Sequence, residues 1–157
     1  AITMPAMGKV GEVVELAADG RVTKKITKEG DGDCPPLGCE VKVHYTGRLV
    51  DGTTFDSSIP RKQPIAFTLG QGQVIAGWDR GVQTMRKGER AELRIEPEYA
   101  YGNRAVGPIP ANSTLIFEVE LMDWSEGNVY RSLVMRILFV CVIILFAAYH
   151  FNQRSPQ

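Results

Sequence analysis

The chain has 157 residues and 17.3 kDa, enough for one ordinary domain and too little for two. Its 18 basic and 18 acidic side chains cancel, which excludes the basic excess of a general nucleic-acid binder, and a hydrophobic share of 44% excludes a disordered chain. These averages conceal a division. All 18 acidic residues and 15 of the 18 basic ones lie before position 129, so residues 1–128 carry −3 and residues 129–157, with Arg131, Arg136 and Arg154, carry +3. The second segment is also apolar at 19 of its 29 positions. Two unlike parts are joined end to end.

Residues 1–20 read as an N-terminal extension with neither an apolar nor an Arg/Ser-rich targeting pattern. Glycine and proline then punctuate short runs of alternating character, the mark of antiparallel strands with tight turns. Positions 22–26 form a first strand. Cys34 and Cys39 are five apart across a Pro-Pro turn, where a disulfide is conceivable, although reduced structural thiols are the preferred reading. Val41, Val43 and Tyr45 alternate with Lys42, His44 and Thr46, and Asp51-Gly52 is a hairpin-type pair after them. Ile65, Phe67 and Leu69 make a further run. Gly70-Gln71-Gly72 briefly suggests a phosphate loop, but Ile75 stands where the third glycine belongs and no Lys-Ser/Thr follows.

Trp78, Val82 and Met85 recur at i, i+4 and i+7, which predicts one short helix that Gly88 can close with a positive φ. Two more runs follow: Ala91, Leu93 and Ile95, then Leu115, Phe117, Val119 and Leu121, the latter alternating with Ile116, Glu118 and Glu120. At least five strands and one helix over residues 21–125 predict an α+β domain, a curved antiparallel β-sheet wrapped over one short α-helix.

After a linker at 126–132, residues 133–151 read LVMRILFVCVIILFAAYHF, in which only Arg136 and His150 are not apolar. Nineteen helical residues span roughly 28 Å, close to the ~30 Å hydrocarbon thickness of a bilayer. The run is apolar all round, and burying it inside a globular domain would need more protein than 128 residues can spare. Tyr130 and Tyr149 sit near its ends, where amphipathic rings favour the interface, and Arg136 is close enough to one end to snorkel. The expectation is a single C-terminal transmembrane helix with a polar tail at 152–157. Two arginines on the head side against one beyond the span favour a head on the cytosolic, matrix or stromal face. Cys141 is apolar filler within the span.

Two histidines and three cysteines offer no ligand spacing, so neither a metal nor another cofactor is expected. His44 alternates onto the polar face of its strand, which argues against a Ser-His-Asp arrangement.

Four separated motifs carry more specific information: VHYTGRLVDGTTFDSS (43–58), GQVIAGWDRGVQTMRKGERA (72–91), PEYAYG (97–102) and STLIFEVEL (113–121). In this order and spacing the chain resembles the FKBP-type peptidyl-prolyl isomerases, from about position 22 to 124. The resemblance implies the FKBP-like fold and a binding cup walled by Tyr45, Phe55, Ile109 and Phe117, with Trp78 as its floor. It further implies that Val74 and Ile75 precede the helix beside the substrate, that the Ile75 N–H holds a ligand carbonyl, and that Asp56 and Tyr101 are the polar groups at the rim. Read without it, the aromatics would be core and Asp56 a hairpin or capping residue.

Two departures from the family pattern stand out. Ile65 replaces a common aromatic at the pocket edge, and the loop between Gly102 and Phe117 looks about one residue shorter, without its usual histidine but with Ile109-Pro110 kept. The expected activity is a membrane-anchored prolyl isomerase with proline-containing polypeptides as partners and macrolide immunosuppressants as candidate ligands. The alternative is an accessory or scaffold subunit that uses the same head to dock onto a larger membrane protein complex.

Overall fold

The computed structural model describes residues 8–126. The apolar run at 133–151 lies outside them; among the described residues no helix is long and apolar enough to cross a membrane. Seven antiparallel strands form one sheet: β1 (Val13–Glu15), β2 (Val22–Lys28), β3 (Glu40–Leu49), β4 (Thr54–Ser57), β5 (Ile65–Thr68), β6 (Arg90–Ile95) and β7 (Leu115–Ser125). Their order is β1-β2-β6-β7-β3-β4. β3 is the organising strand. One edge runs against β7 from Glu40↔Ser125 to Leu49↔Leu115, while the other pairs first with β5 (Glu40↔Thr68 to Val43↔Ile65) and then with β4 (Thr46↔Ser57 to Arg48↔Thr54). A bulge at Lys42/Val43 leaves Met122 unpaired opposite, which bends this central pair.

The alternation read from the sequence is the inward/outward pattern of the sheet. Val41, Val43, Tyr45, Leu93, Ile95, Leu115, Phe117, Val119 and Leu121 all face the core. β1 and β4 are too short to show a period and had no counterpart in the sequence pattern. The Asp51-Gly52 turn forms as expected, with Gly52 at φ +90° and the Asp51 Oδ1 accepting the Thr53 N–H at 2.8 Å. Cys34 and Cys39 are free thiols.

The one α-helix among the described residues, α1 (Ala76–Gln83), covers the concave side of the sheet with Gly77, Trp78, Gly81 and Val82 buried. It ends earlier than the i+7 position of Met85 suggested. The Thr84 and Met85 N–H groups turn back to the Gly81 and Val82 carbonyls at 3.1 and 3.0 Å, a tighter i−3 pattern. Met85 is nonetheless fully buried, so its apolar character came from the core and not from helical continuity. Gly88, at φ +82°, shapes the turn into β6, and its N–H donates to the Leu121 carbonyl at 2.8 Å.

The end of the helix is tied to the sheet by a buried ion pair. Lys24, at an inward position of β2, donates through Nζ to the Thr84 carbonyl and to Glu89 Oε1, both at 2.9 Å. The other Glu89 oxygen accepts the Arg86 N–H at 2.9 Å. Both side chains are about 95% buried, with exposures of 5% and 4%. A cation at a helix C-terminus is favourable, and with these extra partners neither charge is stranded. Lys24→Met removes the cation from the buried Glu89 carboxyl, and should cost about 3–5 kcal/mol in urea unfolding. The double variant Lys24→Met/Glu89→Leu should recover most of that loss; equal damage from single and double variants would deny the pair its role.

Candidate active site

Five aromatic rings from five elements converge on the concave face. Trp78 of α1 meets Tyr45 of β3 and Phe117 of β7 in T-shaped contacts, each with centroids 5.1 Å apart, and Phe67 of β5 in a tilted one at 5.9 Å. Phe55 of β4 meets Phe117 edge-to-face at 5.5 Å. The convergence needs an empty position. On β3, Gly47 pairs with both Asp56 and Phe117, and a Cβ there would lie 2.5 Å from Phe55 Cζ and 2.8 Å from Phe117 Cε1. Glycine lets the two rings close over the strand. Trp78 is 4% exposed, and its Nε1 has no hydrogen-bond partner among the described residues.

A polar cluster borders the rings. The Tyr45 hydroxyl donates to Asp56 Oδ2. Arg61 Nη1 donates to Asp56 Oδ1 at 2.9 Å, Arg61 Nη2 to the Tyr45 hydroxyl at 3.3 Å, and the Ser57 N–H to Asp56 Oδ1 at 2.8 Å. Bonding from the Tyr45 hydroxyl, and then from Arg61, holds the Asp56 carboxyl below its ordinary range. Burial first, and then the bond to Asp56, pushes the Tyr45 hydroxyl above its ordinary value. Behind Tyr45, the fully buried Ser58 accepts the Tyr45 N–H at 2.9 Å and pairs with His44 Nδ1 at 2.8 Å.

Val74 and Ile75, half-buried against the core, lead into α1. The Ile75 carbonyl accepts the Trp78 and Asp79 N–H groups at 2.9 and 3.3 Å, whereas the Ile75 N–H donates to no group among the described residues. Ile109 is buried in the β6–β7 loop, where its N–H and carbonyl both pair with Val106 at 2.9 Å. Ile65 is half-buried at the start of β5. Tyr45, Phe55, Asp56, Trp78 and Phe117 are thus joined by direct contacts, while Ile65, Val74, Ile75 and Ile109 pack on or within the core. Tyr101 stands apart: it is 37% exposed and makes no hydrogen bond or ring contact with these residues.

Four members of the assembly had not been singled out. Phe67 was legible, since its run with Ile65 and Leu69 already turned it inward. Gly47 lies in the quoted motif at 43–58, but only the fold shows which rings it admits. Arg61 and Ser58 act through hydrogen bonds that no periodicity encodes. Among the described residues no group of three or more His, Cys, Asp or Glu side chains could hold a metal ion. The five rings form an aromatic cluster with one charge-compensated polar edge, and the Ile75 N–H before α1 is a backbone donor with no partner among the described residues.

Residues 32–122 match the family described as FKBP-type peptidyl-prolyl cis-trans isomerase. FK506-binding protein 1 of Dictyostelium discoideum is 56% identical over 100 residues, which cover 63% of this chain and 94% of that protein. FK506-binding protein 1A of Aspergillus fumigatus is 54% identical over 103 residues, covering 64% and 92% respectively. FK506-binding protein 59 of Drosophila melanogaster is 53% identical over 134 residues, covering 79% of this chain and 30% of that longer protein.

The Asp56 cluster makes a testable demand. A carboxyl whose folded value is depressed contributes stability above its unfolded value, about 3.9, and loses that contribution as pH falls through the folded value. Tyr45→Phe should raise the Asp56 carboxyl toward its ordinary range by more than Arg61→Met does, as read by carbon-detected NMR titration. The reverse order would mean that the guanidinium, and not the phenol, dominates.

Proposed function

The chain belongs to the FKBP-type peptidyl-prolyl cis-trans isomerases, and from that membership we propose that it catalyses isomerisation of Xaa–Pro bonds in polypeptides held at a membrane surface. The observation that supports the reading is the cluster of rings around Trp78, with the Ile75 N–H three residues before it unbonded among the described residues. Rotation about an amide C–N bond destroys resonance and meets a barrier of roughly 18–20 kcal/mol. No covalent bond breaks, so no nucleophile or metal is needed. The twisted amide is less polarised than the planar one and depends less on water. An apolar recess that desolvates the proline therefore favours the twisted state over the planar one. In this reading Tyr45, Phe55, Ile65, Trp78, Ile109 and Phe117 enclose the ring. Val74 and the Ile75 N–H hold the preceding peptide, and Asp56 and Tyr101 orient its flanks from the rim. Relatives bear FK506 in their names; we assign macrolides of that class to the same cup here, with Ile65 giving it a shallower wall.

The anchor is the 19-residue apolar run at 133–151, with two arginines on the head side favouring a head on the cytosolic, matrix or stromal face. The full chain should float with neutral-lipid vesicles on a density gradient, and a chain stopped at residue 128 should remain at the bottom. A full chain that fails to float removes the anchor from the proposal.

Activity is checked by protease-coupled isomerisation of a Xaa-Pro peptide. Trp78→Ala should lower kcat/KM at least tenfold, equivalent to about 1.4 kcal/mol of transition-state stabilisation. Asp56 stays ionised above its depressed value and Tyr45 stays protonated below its raised one. Neither group changes state between about pH 5 and pH 9, so the cup's contribution to kcat/KM should be flat across that range. A steep titration in kcat/KM that persists in Tyr45→Phe would place an unrecognised acid or base in the mechanism.

A further inference from the structure

The Ile75 N–H belongs to the peptide between Val74 and Ile75, so its direction is set by the loop from Leu69 to Ile75 that joins β5 to α1. That loop contains two glycines at positive φ, Gly70 at +78° and Gly72 at +65°, positions where the backbone gives way cheaply. The residue before the helix, Ile75, provides no side-chain cap. Something else must hold the loop still.

The restraint comes from one carboxylate. Asp79, in the first turn of α1, accepts the Gly70 N–H through Oδ1 at 2.8 Å and the Gly72 N–H through Oδ2 at 3.3 Å. Its own backbone N–H reaches the Ile75 carbonyl at 3.3 Å. A second side chain closes the same loop, with Gln73 Oε1 accepting the Thr68 N–H at 2.9 Å. The chain is therefore clamped up to Gln73 and again at the Ile75 carbonyl. The 73–74 and 74–75 peptides lie between, and the Ile75 N–H of the second is unbonded among the described residues. An acidic group near a helix N-terminus is ordinarily understood as an answer to the helix dipole. Here both of its oxygens are spent on loop amides.

We propose that Asp79 is a positioning residue for substrate binding: its carboxylate latches the β5–α1 loop so that the 74–75 peptide presents its N–H to the bound polypeptide. This rests on the reading of the cup given above and adds a residue outside it. A loop that is ordered before binding spares the substrate the cost of selecting a minor conformer, so a broken latch weakens apparent affinity by the fraction of chains still in the competent state. The twisted and planar amides use the same N–H, which places the loss in KM and leaves kcat nearly unchanged.

The test uses the full chain and one Xaa-Pro peptide throughout. Asp79→Asn keeps the size of the side chain but offers one oxygen and one NH2, so one glycine N–H loses its acceptor and meets a donor instead. The expected result is a KM raised about fivefold or more with kcat within about twofold, together with faster amide exchange across residues 69–75. Asp79→Glu, which restores a carboxylate, should recover part of both. Thermal unfolding of the same samples separates a structural role: a lowered Tm with unchanged KM and unchanged exchange in the loop overturns the latch. If Asp79→Asn matches the unsubstituted chain in KM while Trp78→Ala loses binding, the latch is overturned and the cup stands. If the unsubstituted chain shows no acceleration and no binding of the peptide, both fall together.

Discussion

Two glycines four residues apart set the distance between α1 and β6, and the ring contacts of Trp78 depend on that distance. A Cβ at Gly77 would lie 2.5 Å from Ile95 Cγ2, and one at Gly81 would lie 2.5 Å from Leu93 Cδ1. Neither neighbour can retreat, since Leu93 and Ile95 are fully buried in the strand behind them. The helix backbone therefore rests on the sheet at a separation that larger residues would forbid, with dense packing on all sides. Trp78, placed between these two contacts, is driven against Tyr45 and Phe117. Gly47 does for the rim what Gly77 and Gly81 do for the floor, letting Phe55 close over Phe117. The aromatic cluster is thus shaped as much by where side chains are missing as by where they are large.

The same close approach explains why a helix of only eight residues persists. Isolated helices of that length are not stable in water. This one is held by its buried stripe and by Lys24 and Glu89, which tie its last carbonyl to β2 and to the start of β6. An ion pair at this depth is weak evidence for stability in itself. Its value here is geometric: it ends the helix at a fixed point, so the ring at Trp78 and the loop before it keep their register against the strands.

Much of this was legible from the sequence, and the division between what was and was not has a physical basis. The inward rows of β3 and β7 alternate over many residues, so a period of two was visible. Trp78 and Val82 fall on one helical face. Met85 extended that face on paper because burial, not helicity, is what apolar spacing reports. β1 and β4 span three and four residues, too few for any period. The site residues were named from four motifs, at 43–58, 72–91, 97–102 and 113–121, whose order and spacing resembled a known family, and Tyr45, Phe55, Trp78 and Phe117 among them are in ring contact. Arg61, Ser58 and Lys24 were silent because their meaning lies in partners chosen by the fold: Lys24 finds Glu89 at a separation of 65 residues. Tyr101, singled out from its motif, makes no hydrogen bond or ring contact with the other site residues that would have ranked it.

The polar edge of the cup shows what kind of chemistry the recess can support. Asp56, Tyr45 and Arg61 satisfy one another, with the Asp56 carboxylate taking bonds from the phenol, the guanidinium and the Ser57 N–H. Such mutual satisfaction makes Asp56 a poor base, because each partner stabilises its charged form and lowers its appetite for a proton. It also makes Tyr45 a poor acid. Both shifts lead away from neutral pH. What the polar edge does is hold a phenol ring and a carboxylate at fixed positions beside the aromatic cluster. A reaction whose barrier is lost resonance asks for that combination: a dry place for the part of the substrate that twists, and fixed dipoles for the parts that must not.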